Sequence, residues 1–400
     1  TDAEALLVDS INSQYVPEPK FDFLDYNLNA KSYTSLSVAL IGDSKVTNIT
    51  PRNIKDGDTP HPTASMIKMF LELMIADKLS GGTLESNGSM KIDETDLSSK
   101  FINITDSDEA YFAAKEYSGQ TLAPVKTGDE ISYYDAMKSI MILSANNMAD
   151  IMAREVFGDI ESYRIYSAAW LKRNDFVTVT LGTDASGLNE GTVASANEMT
   201  IIGYKFLQVE PLKNIVSMKQ LNWVYGGVHE TYKNRNLGLD YGLTGIKTGT
   251  TDEAGSCLTF SFYTDVGTNR VLVVGTIMGV RGNTAVNSVD SLMRYIPKKI
   301  AGYSLDISNT KIFKYSNTCV NPGYGVVPDG TSLNVVFWKD EIAPEIKFDD
   351  AISLYNNPPD IGGIMHIGNN EYKLNYVPEE AQDKSMVDDF HCAVSFPKNK

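Results

Sequence analysis

Three short segments of this 400-residue chain combine residue types suited to nucleophilic catalysis without a metal. Ser65-Met66-Ile67-Lys68 sets a hydroxyl and an amine three residues apart, Ser144-Ala145-Asn146 adds a second hydroxyl and an amide, and Lys247-Thr248-Gly249 adds a second amine beside a glycine. A serine hydroxyl is a weak nucleophile until a neighbouring base takes its proton, and Lys68 can be that base. On a helix, a spacing of three puts both side chains over one side. That side is otherwise apolar, so an ammonium ion there is costly and Lys68 should give up its proton readily. The first helical turn also aims backbone N–H groups at charge developing beside Ser65.

Each segment alone is weak evidence, because a pattern fixing two positions arises by chance about once or twice in a chain of this length. Ser144 and Asn146 fall between two predicted helices, where they either cap the second helix or are pushed into one cleft by a tight connection. Gly249 interrupts a strand and permits close approach of a ligand to the backbone, so this strand can pair with a peptide-like substrate by edge hydrogen bonds. Histidine is not the expected base. His61, His229, His366 and His391 are scattered, and His229-Glu230 lacks the second histidine of a zinc protease. Cys257, Cys319 and Cys392 form no C-x-x-C pair, so neither a zinc ribbon nor a thioredoxin-like motif is present, and no metal or cofactor is expected.

The elements that must position these residues follow from periodicity. Met66, Met69, Phe70, Leu73 and Met74 recur at three and four, which predicts a helix over 64–79 closed by Gly81-Gly82. Ser132 and Asp135 open a second helix through Leu143, and a third runs from about Asn147 to Phe157 with Gly158 at its end. Ser195-Ala196-Asn197-Glu198 reads as a full capping box. Leu36, Val38 and Leu40 alternate before a turn at Gly42-Asp43-Ser44-Lys45, which suggests a hairpin, whereas 83–130 reads as surface loop with short helices. Strand signals dominate from Gln220 to Val280, and Val286 to Ile296 is helical again. From Tyr303 onward no helical period appears; Leu333, Val335 and Phe337 alternate, as do Tyr372, Leu374 and Tyr376 after a Gly368-Asn369-Asn370 turn.

The formal net charge is −16, from 35 Lys and Arg against 51 Asp and Glu. Binding to nucleic acid or to anionic lipid needs clustered cations, so neither is an expected partner. The longest largely apolar run, Val271 to Val280, is far short of the roughly 20 residues that cross a bilayer and reads as a buried strand. The chain starts at Thr1 without a basic-then-apolar leader, so the expectation is a removed targeting segment or a chain begun at this point.

In this order, the three segments resemble the motif set of serine β-lactamases and penicillin-binding proteins. The resemblance tightens around them: Gly245-Ile246-Lys247-Thr248-Gly249-Thr250-Thr251-Asp252-Glu253-Ala254-Gly255-Ser256-Cys257-Leu258 is similar to the G-I-K-T-G-x-T-x-x-A-G-x-x-L stretch of low-molecular-mass D-alanyl-D-alanine carboxypeptidases. Asn234-Arg235-Asn236-Leu237 resembles the N-x-N-x-L stretch of that family, and Ser186-Gly187-Leu188 its G-L turn. The likeness covers about residues 32 to 296. It implies an α+β fold of the penicilloyl serine transferase or β-lactamase-like type, an antiparallel sheet with helices on its faces plus a helical subdomain, followed by a small all-β domain. The expected division is a catalytic domain over 1–300 and a β-rich domain over 301–400.

The resemblance further implies that Ser65 is the nucleophile and Lys68 its base. Ser144 relays the proton to the leaving amine, and Asn146 holds the acyl-side amide of the substrate. Lys247 keeps Lys68 neutral and, with Thr248, Gly249 and Thr250, attracts the substrate carboxylate. The backbone N–H groups of Ser65 and Thr250 form the oxyanion hole, and Arg281 stands where the family places a carboxylate-binding arginine. The implied partners are peptidoglycan stem peptides and β-lactam antibiotics, outside the cytoplasmic membrane at the cell surface or on the membrane's outer face. A membrane tether is a family habit, but Phe390 to Lys400 is too short and polar to be one. Two departures stand out: Ala145 and Asn147 replace the glycine and acid of S-G-N-D, which is expected to narrow the cleft and alter the packing beneath it. Two rival readings remain, a β-lactamase and a catalytically quiet wall-binding or scaffold protein. The first lacks its deacylating base, since Ala185 stands where a glutamate would precede Leu188-Asn189. The second sits poorly with intact Ser65, Lys68, Ser144 and Lys247.

Overall fold

The most apolar stretch of the chain becomes the middle strand of a five-stranded antiparallel sheet. In the computed structural model, which describes residues 16–20, 32–42, 48–82, 92–315, 323–344, 346–350, 361–368 and 370–379, strand Asn269–Val280 lies between Ser35–Ile41 and Gly255–Val266. Arg52–Lys55 and Gly245–Thr251 form the two edges. Alternate side chains of the middle strand enter opposite cores: Val271, Val273 and Ile277 face one, Val274 and Met278 the other. A sheet covered on both faces needs no polar side. Hence Ser37 and Ala39 are as buried as Leu36 and Val38. The expected hairpin is present as the pairing of Ser35–Ile41 with Arg52–Lys55, while Asp43 to Lys45 lie outside the described residues.

Helix Ala285–Tyr295 packs on one face, and Ala196–Leu207 on the other with Lys68–Leu79 behind it. A buried threonine chain pins the second of these helices to the sheet, Thr200 Oγ1 donating to Thr276 Oγ1 at 3.0 Å and Thr276 bonding Thr259 at 2.9 Å. Beyond Lys68–Leu79 the helical part extends through Tyr133–Lys138, Asn146–Phe157, Ile160–Arg173 and Glu210–Ser217, all contributing to one large apolar cluster. The region 92–130 contains two short capped helices, Glu94–Ser98 and Asp106–Lys115.

Several boundaries differ from the periodicity. The predicted helix 64–79 is a 3₁₀ turn, Ala64–Ile67, followed by an α-helix. The helix opened by Ser132 ends in a π-helical segment, Ser139–Leu143, and the next begins at Asn146 rather than Asn147. The capping box at Ser195 is only half made. Ser195 Oγ accepts from Glu198 N, but the Glu198 carboxylate accepts from Val177 N and Thr178 N and so pins a distant loop instead of its own helix start.

After a short 3₁₀ turn, Ile296–Lys298, the described residues form only strands and their connections. Ile300–Asp306 pairs with Ser332–Trp338, and a second five-stranded antiparallel sheet runs Lys311–Tyr315, Gly323–Val326, Asn370–Pro378, Gly363–Ile367, Ile346–Asp349. Leu333, Val335 and Phe337 alternate inward as predicted, into an apolar cluster of their own with Ile312, Met365 and Leu374. Of the Gly368-Asn369-Asn370 turn, Asn369 lies outside the described residues, as do Cys319, Cys392, His391 and Phe390 to Lys400. Arg52 joins the two parts, donating to both carboxylate oxygens of Asp340 at 2.7 and 2.8 Å beneath the Trp338 ring. Within the first sheet Phe260 is fully buried. Phe260→Ala should therefore cost about 3–5 kcal/mol, measured as a drop in unfolding free energy by chemical denaturation.

Candidate active site

Ser65 stands in a turn that the chain must force into shape. Ala64 before it has φ 48°, a left-handed conformation that costs a residue with a side chain about 1–2 kcal/mol. What holds it is the loop 184–189. Gly187 lies so close that a Cβ there would be 2.0 Å from Ala64 O, and its own φ is 84°, so only glycine fits. The loop is tied by the Asp184 carboxylate, which accepts from Gly187 N and Asn189 N at 2.8 Å each and from Ser186 Oγ at 3.1 Å. Asp150 adds a further anchor, accepting from Ala185 N at 2.9 Å. The G-L turn of the sequence is thus the seat of the serine turn.

The second segment is positioned by the π-helical end. Ser144 has φ 67°, which breaks the helix and turns its hydroxyl back toward Lys68. Asn146 N donates to Thr121 O at 2.8 Å, and Asn147 clamps Ala123 from both sides, its amide accepting from Ala123 N at 2.9 Å and donating to Ala123 O at 2.8 Å. An amide can both give and take here, which a carboxylate cannot, so Asn147 keeps the loop through Thr121 and Ala123 in place. The Ala145 methyl does not narrow the cleft as expected: Ala145 is fully buried in the helical core and does not line the cleft.

The third segment lies on the edge strand Gly245–Thr251, beside the serine turn. A Cβ on Gly249 would meet Ser65 N at 2.8 Å and Met66 N at 2.9 Å, so the glycine lets the edge strand touch the backbone of the serine turn. Lys68 Nζ lies within hydrogen-bond distance of Ser65 Oγ at 2.8 Å, Ser144 O and Oγ at 3.0 and 3.2 Å, and Asn146 Oδ1 at 2.7 Å. Lys247 Nζ donates to the same Ser144 Oγ at 3.1 Å and to Thr248 O at 2.8 Å. Ser65, Lys68, Ser144, Asn146 and Lys247 therefore form one hydrogen-bonded cluster. It opens into a cleft of about 330 Å³ lined by Ser65, Ser144, Arg235, Thr248, Gly249 and Thr250, among others.

Both amines are fully buried, and burial sets their charge. It lowers Lys68 from 10.5 to about 7, against the pull of the Asp150 and Asp184 carboxylates and with some help from the Arg235 guanidinium. Burial lowers Lys247 well below the usual amine range, reinforced by Lys68 and Arg235 and opposed by Glu72. Lys68 thus sits where it can be a neutral base near neutral pH.

Arg281 is not in this cluster. Its guanidinium donates to Asp252 O at 2.7 Å and Glu253 O at 3.0 Å, so it braces the turn after the edge strand rather than facing the cleft. The arginine that does line the cleft is Arg235, held by Thr121 Oγ1 at 3.1 Å. It lies inside the N-x-N-x-L stretch, whose asparagines shape the turn: Asn234 Oδ1 accepts from Asn236 N and Asn236 Oδ1 from Gly238 N. Periodicity also gave no sign of Glu72, a fully buried carboxyl one turn after Lys68 with neither oxygen hydrogen-bonded, which burial pushes well above the usual carboxylate range. Asp150 stands four residues after Asn146, the one signal in the sequence that could have placed it on the same helix side. Among the described residues no group of three or more His, Cys, Asp or Glu side chains is arranged to hold a metal ion.

Residues 39–281 match the profile of the peptidase S11 family, D-alanyl-D-alanine carboxypeptidase. The chain belongs to this family. It is similar to the D-alanyl-D-alanine carboxypeptidase DacC of Escherichia coli K12, with 27% identity over 139 residues, a match that spans 34% of either chain. Penicillin-binding protein 5 of Haemophilus influenzae superposes with a TM-score of 0.62 at 17% identity, over 87% of this chain and 98% of that one. PBP3 of Streptococcus pneumoniae, described as a peptidoglycan synthesis regulatory factor, gives 0.63 at 16% identity, over 87% and 99%. The fold is that of the penicillin-binding DD-peptidases, with a C-terminal β domain.

Since Gly187 alone permits the close seating of Ala64, Gly187→Ala should lower the rate of covalent labelling by penicillin about 100-fold, with helix content by circular dichroism retained.

Proposed function

We propose that this protein is a serine D-Ala-D-Ala carboxypeptidase that trims the terminal D-alanine from peptidoglycan stem peptides through an acyl-enzyme on Ser65. The observation that carries this reading is the 2.8 Å contact between Ser65 Oγ and a fully buried Lys68 amine whose ordinary value has fallen to about 7. With Lys68 neutral, the Ser65 proton passes to Nζ while the Oγ electron pair bonds to the carbonyl carbon between the two D-alanines. The backbone N–H groups of Ser65 and Thr250 receive the developing oxyanion. Collapse breaks the C–N bond, and the proton leaves with the amine by way of Ser144, whose Oγ lies within reach of both lysines. Thr248 and Thr250, with Lys247 and Arg235, receive the substrate carboxylate. An arriving anion favours the ammonium form of Lys247, so binding itself restores that charge. Asn146 holds both Lys68 and the loop at Gln120, its Nδ2 donating to Gln120 Oε1 at 3.4 Å, and offers its amide to the acyl side of the substrate. The substrate lies along the edge strand and extends the sheet by one strand.

β-Lactams imitate the dipeptide and acylate Ser65. Slow deacylation is supported by Ala185, which is buried and carries no base, and by Asp184, whose two oxygens are occupied by its own loop. Residues 1–300 are proposed as the catalytic unit and 301–400 as a separate β module, a division favoured by the separate apolar cluster of the latter. The substrate chemistry puts the protein outside the cytoplasm. No helix among the described residues is long and apolar enough to cross a membrane.

The test is incubation with diacetyl-L-Lys-D-Ala-D-Ala and with labelled penicillin, scoring D-alanine release and covalent uptake together. Both should occur and both should vanish in Ser65→Ala; label retained by that variant would remove Ser65 as nucleophile. The rate of labelling should rise with pH through about 7, as Lys68 loses its proton. Turnover of a chromogenic cephalosporin should stay below about one per second, under the ~10 per second typical of enzymes on their own substrates.

A further inference from the structure

Lys68 must carry a positive charge for part of every turnover, yet none of its hydrogen-bond partners is anionic: Ser65 Oγ, Ser144 O and Oγ, and Asn146 Oδ1 are all neutral acceptors. A buried ammonium without a counter-charge is strongly disfavoured. The supply of negative charge has to come from farther off, and the geometry narrows the choice. Asp150 lies one turn after Asn146 on helix Asn146–Phe157, and residues four apart share a side of a helix. Asn146 touches Lys68, so that side faces Lys68. Asp150 is anchored in this position by Ala185 N at 2.9 Å, in the loop that seats the serine turn.

The surrounding charges are few. Lys68 faces Asp150, Asp184 and Arg235, and meets Lys247 through their shared Ser144 Oγ. Glu72 acts on Lys247. Asp150 faces Lys68, Asp184 and, from helix Ile160–Arg173, Tyr163. Among the described residues Asp184 is committed to three donors of its own loop, whereas Asp150 accepts from Ala185 N alone. Behind Asp150 a cavity of about 350 Å³ opens between Asp108, Ile151, Arg154 and Ile160, where Asp108 and Arg154 neutralise each other in a two-point pair at 2.8 and 2.9 Å. Asp150 itself lines that opening and is not fully buried. Burial raises Asp150 to about 6, which leaves it ionised at neutral pH.

We propose that Asp150 is a positioning residue for acylation, its carboxylate serving as the counter-charge of the Lys68 ammonium while it ties the loop beneath the serine turn. Asp150 takes no proton: the Ser65 proton moves to Lys68 and then, through Ser144, to the leaving amine. This inference rests on the acyl-enzyme reading above.

The test is the pH dependence of penicillin acylation, from pH 5 to 9, in the wild type, Asp150→Asn and Asp150→Glu. Loss of the carboxylate disfavours the ammonium form of Lys68, so in Asp150→Asn the acid limb should move to lower pH by about half a unit or more, while the plateau falls about tenfold. Asp150→Glu should bring the limb back toward the wild-type midpoint near 7. A slower Asp150→Asn with an unmoved limb would make the residue a loop anchor only, and an unchanged rate and limb would remove it from the reaction altogether. If Asp150→Asn does not fold, Asp150→Ser, which also removes the charge, is held to the same shift. Failure of the wild type to take up label would instead overturn the carboxypeptidase reading, which keeps the two outcomes apart.

Discussion

A primary amine kept out of water against a serine hydroxyl is the constraint on which the rest of the structure depends. Moving Lys68 from 10.5 to about 7 means that its ammonium form is disfavoured by about 5 kcal/mol relative to water. Burial is the first cause of that change, so the helical core around Lys68–Leu79 is part of the chemistry as well as of the stability. The same burial limits how the charge can return, which is why the neutral oxygens of Ser144 and Asn146 surround Nζ and carboxylates stand only behind them.

The two covering layers of the sheet give this arrangement its rigidity. Because both faces of the middle strands are buried, the edge strand Gly245–Thr251 has little freedom to shift against its neighbour, and Gly249 can be held against the Ser65 backbone. On the opposite side Gly187 presses on Ala64. The serine turn is therefore gripped between a strand and a loop, each meeting it at a glycine, and the strain at Ala64 is the cost of turning Ser65 toward the base. Any side chain at either glycine would have to occupy space already filled by backbone.

Charge is distributed against the overall sign of the molecule. With a net −16, the protein as a whole repels an anionic peptide, and attraction must be local. In the proposed reaction that attraction comes from Arg235, which lines the cleft, and from the buried Lys247 next to Ser144, whose charge depends on the arrival of an anion. Arg281, the arginine suggested by sequence position, is spent on two carbonyls of a turn. A guanidinium next to a strand end satisfies backbone acceptors as readily as it awaits a ligand, and sequence position does not distinguish the two.

Much of the proposed chemistry was legible in the chain itself. Ser65 and Lys68 share a helix side because of their spacing, Lys68 is buried because its neighbours Met66, Met69 and Phe70 are apolar, and these local facts already imply a weakly basic amine. The order of the three segments implied the family and, with it, the fold. Alternation at Leu333, Val335 and Phe337 announced the β module. Contacts between segments far apart in sequence were not legible, because no period or spacing encodes them. That Glu198 serves a loop instead of its own cap, that Ala145 points into the core, that Asn147 clamps Ala123, and that Asp150 and Asp184 stand behind Lys68 all depend on how helices and sheet are packed together. Local sequence determined which residues are reactive; the tertiary structure decided which charges and backbone groups surround them, since electrostatic interactions act through space and only folding sets those distances.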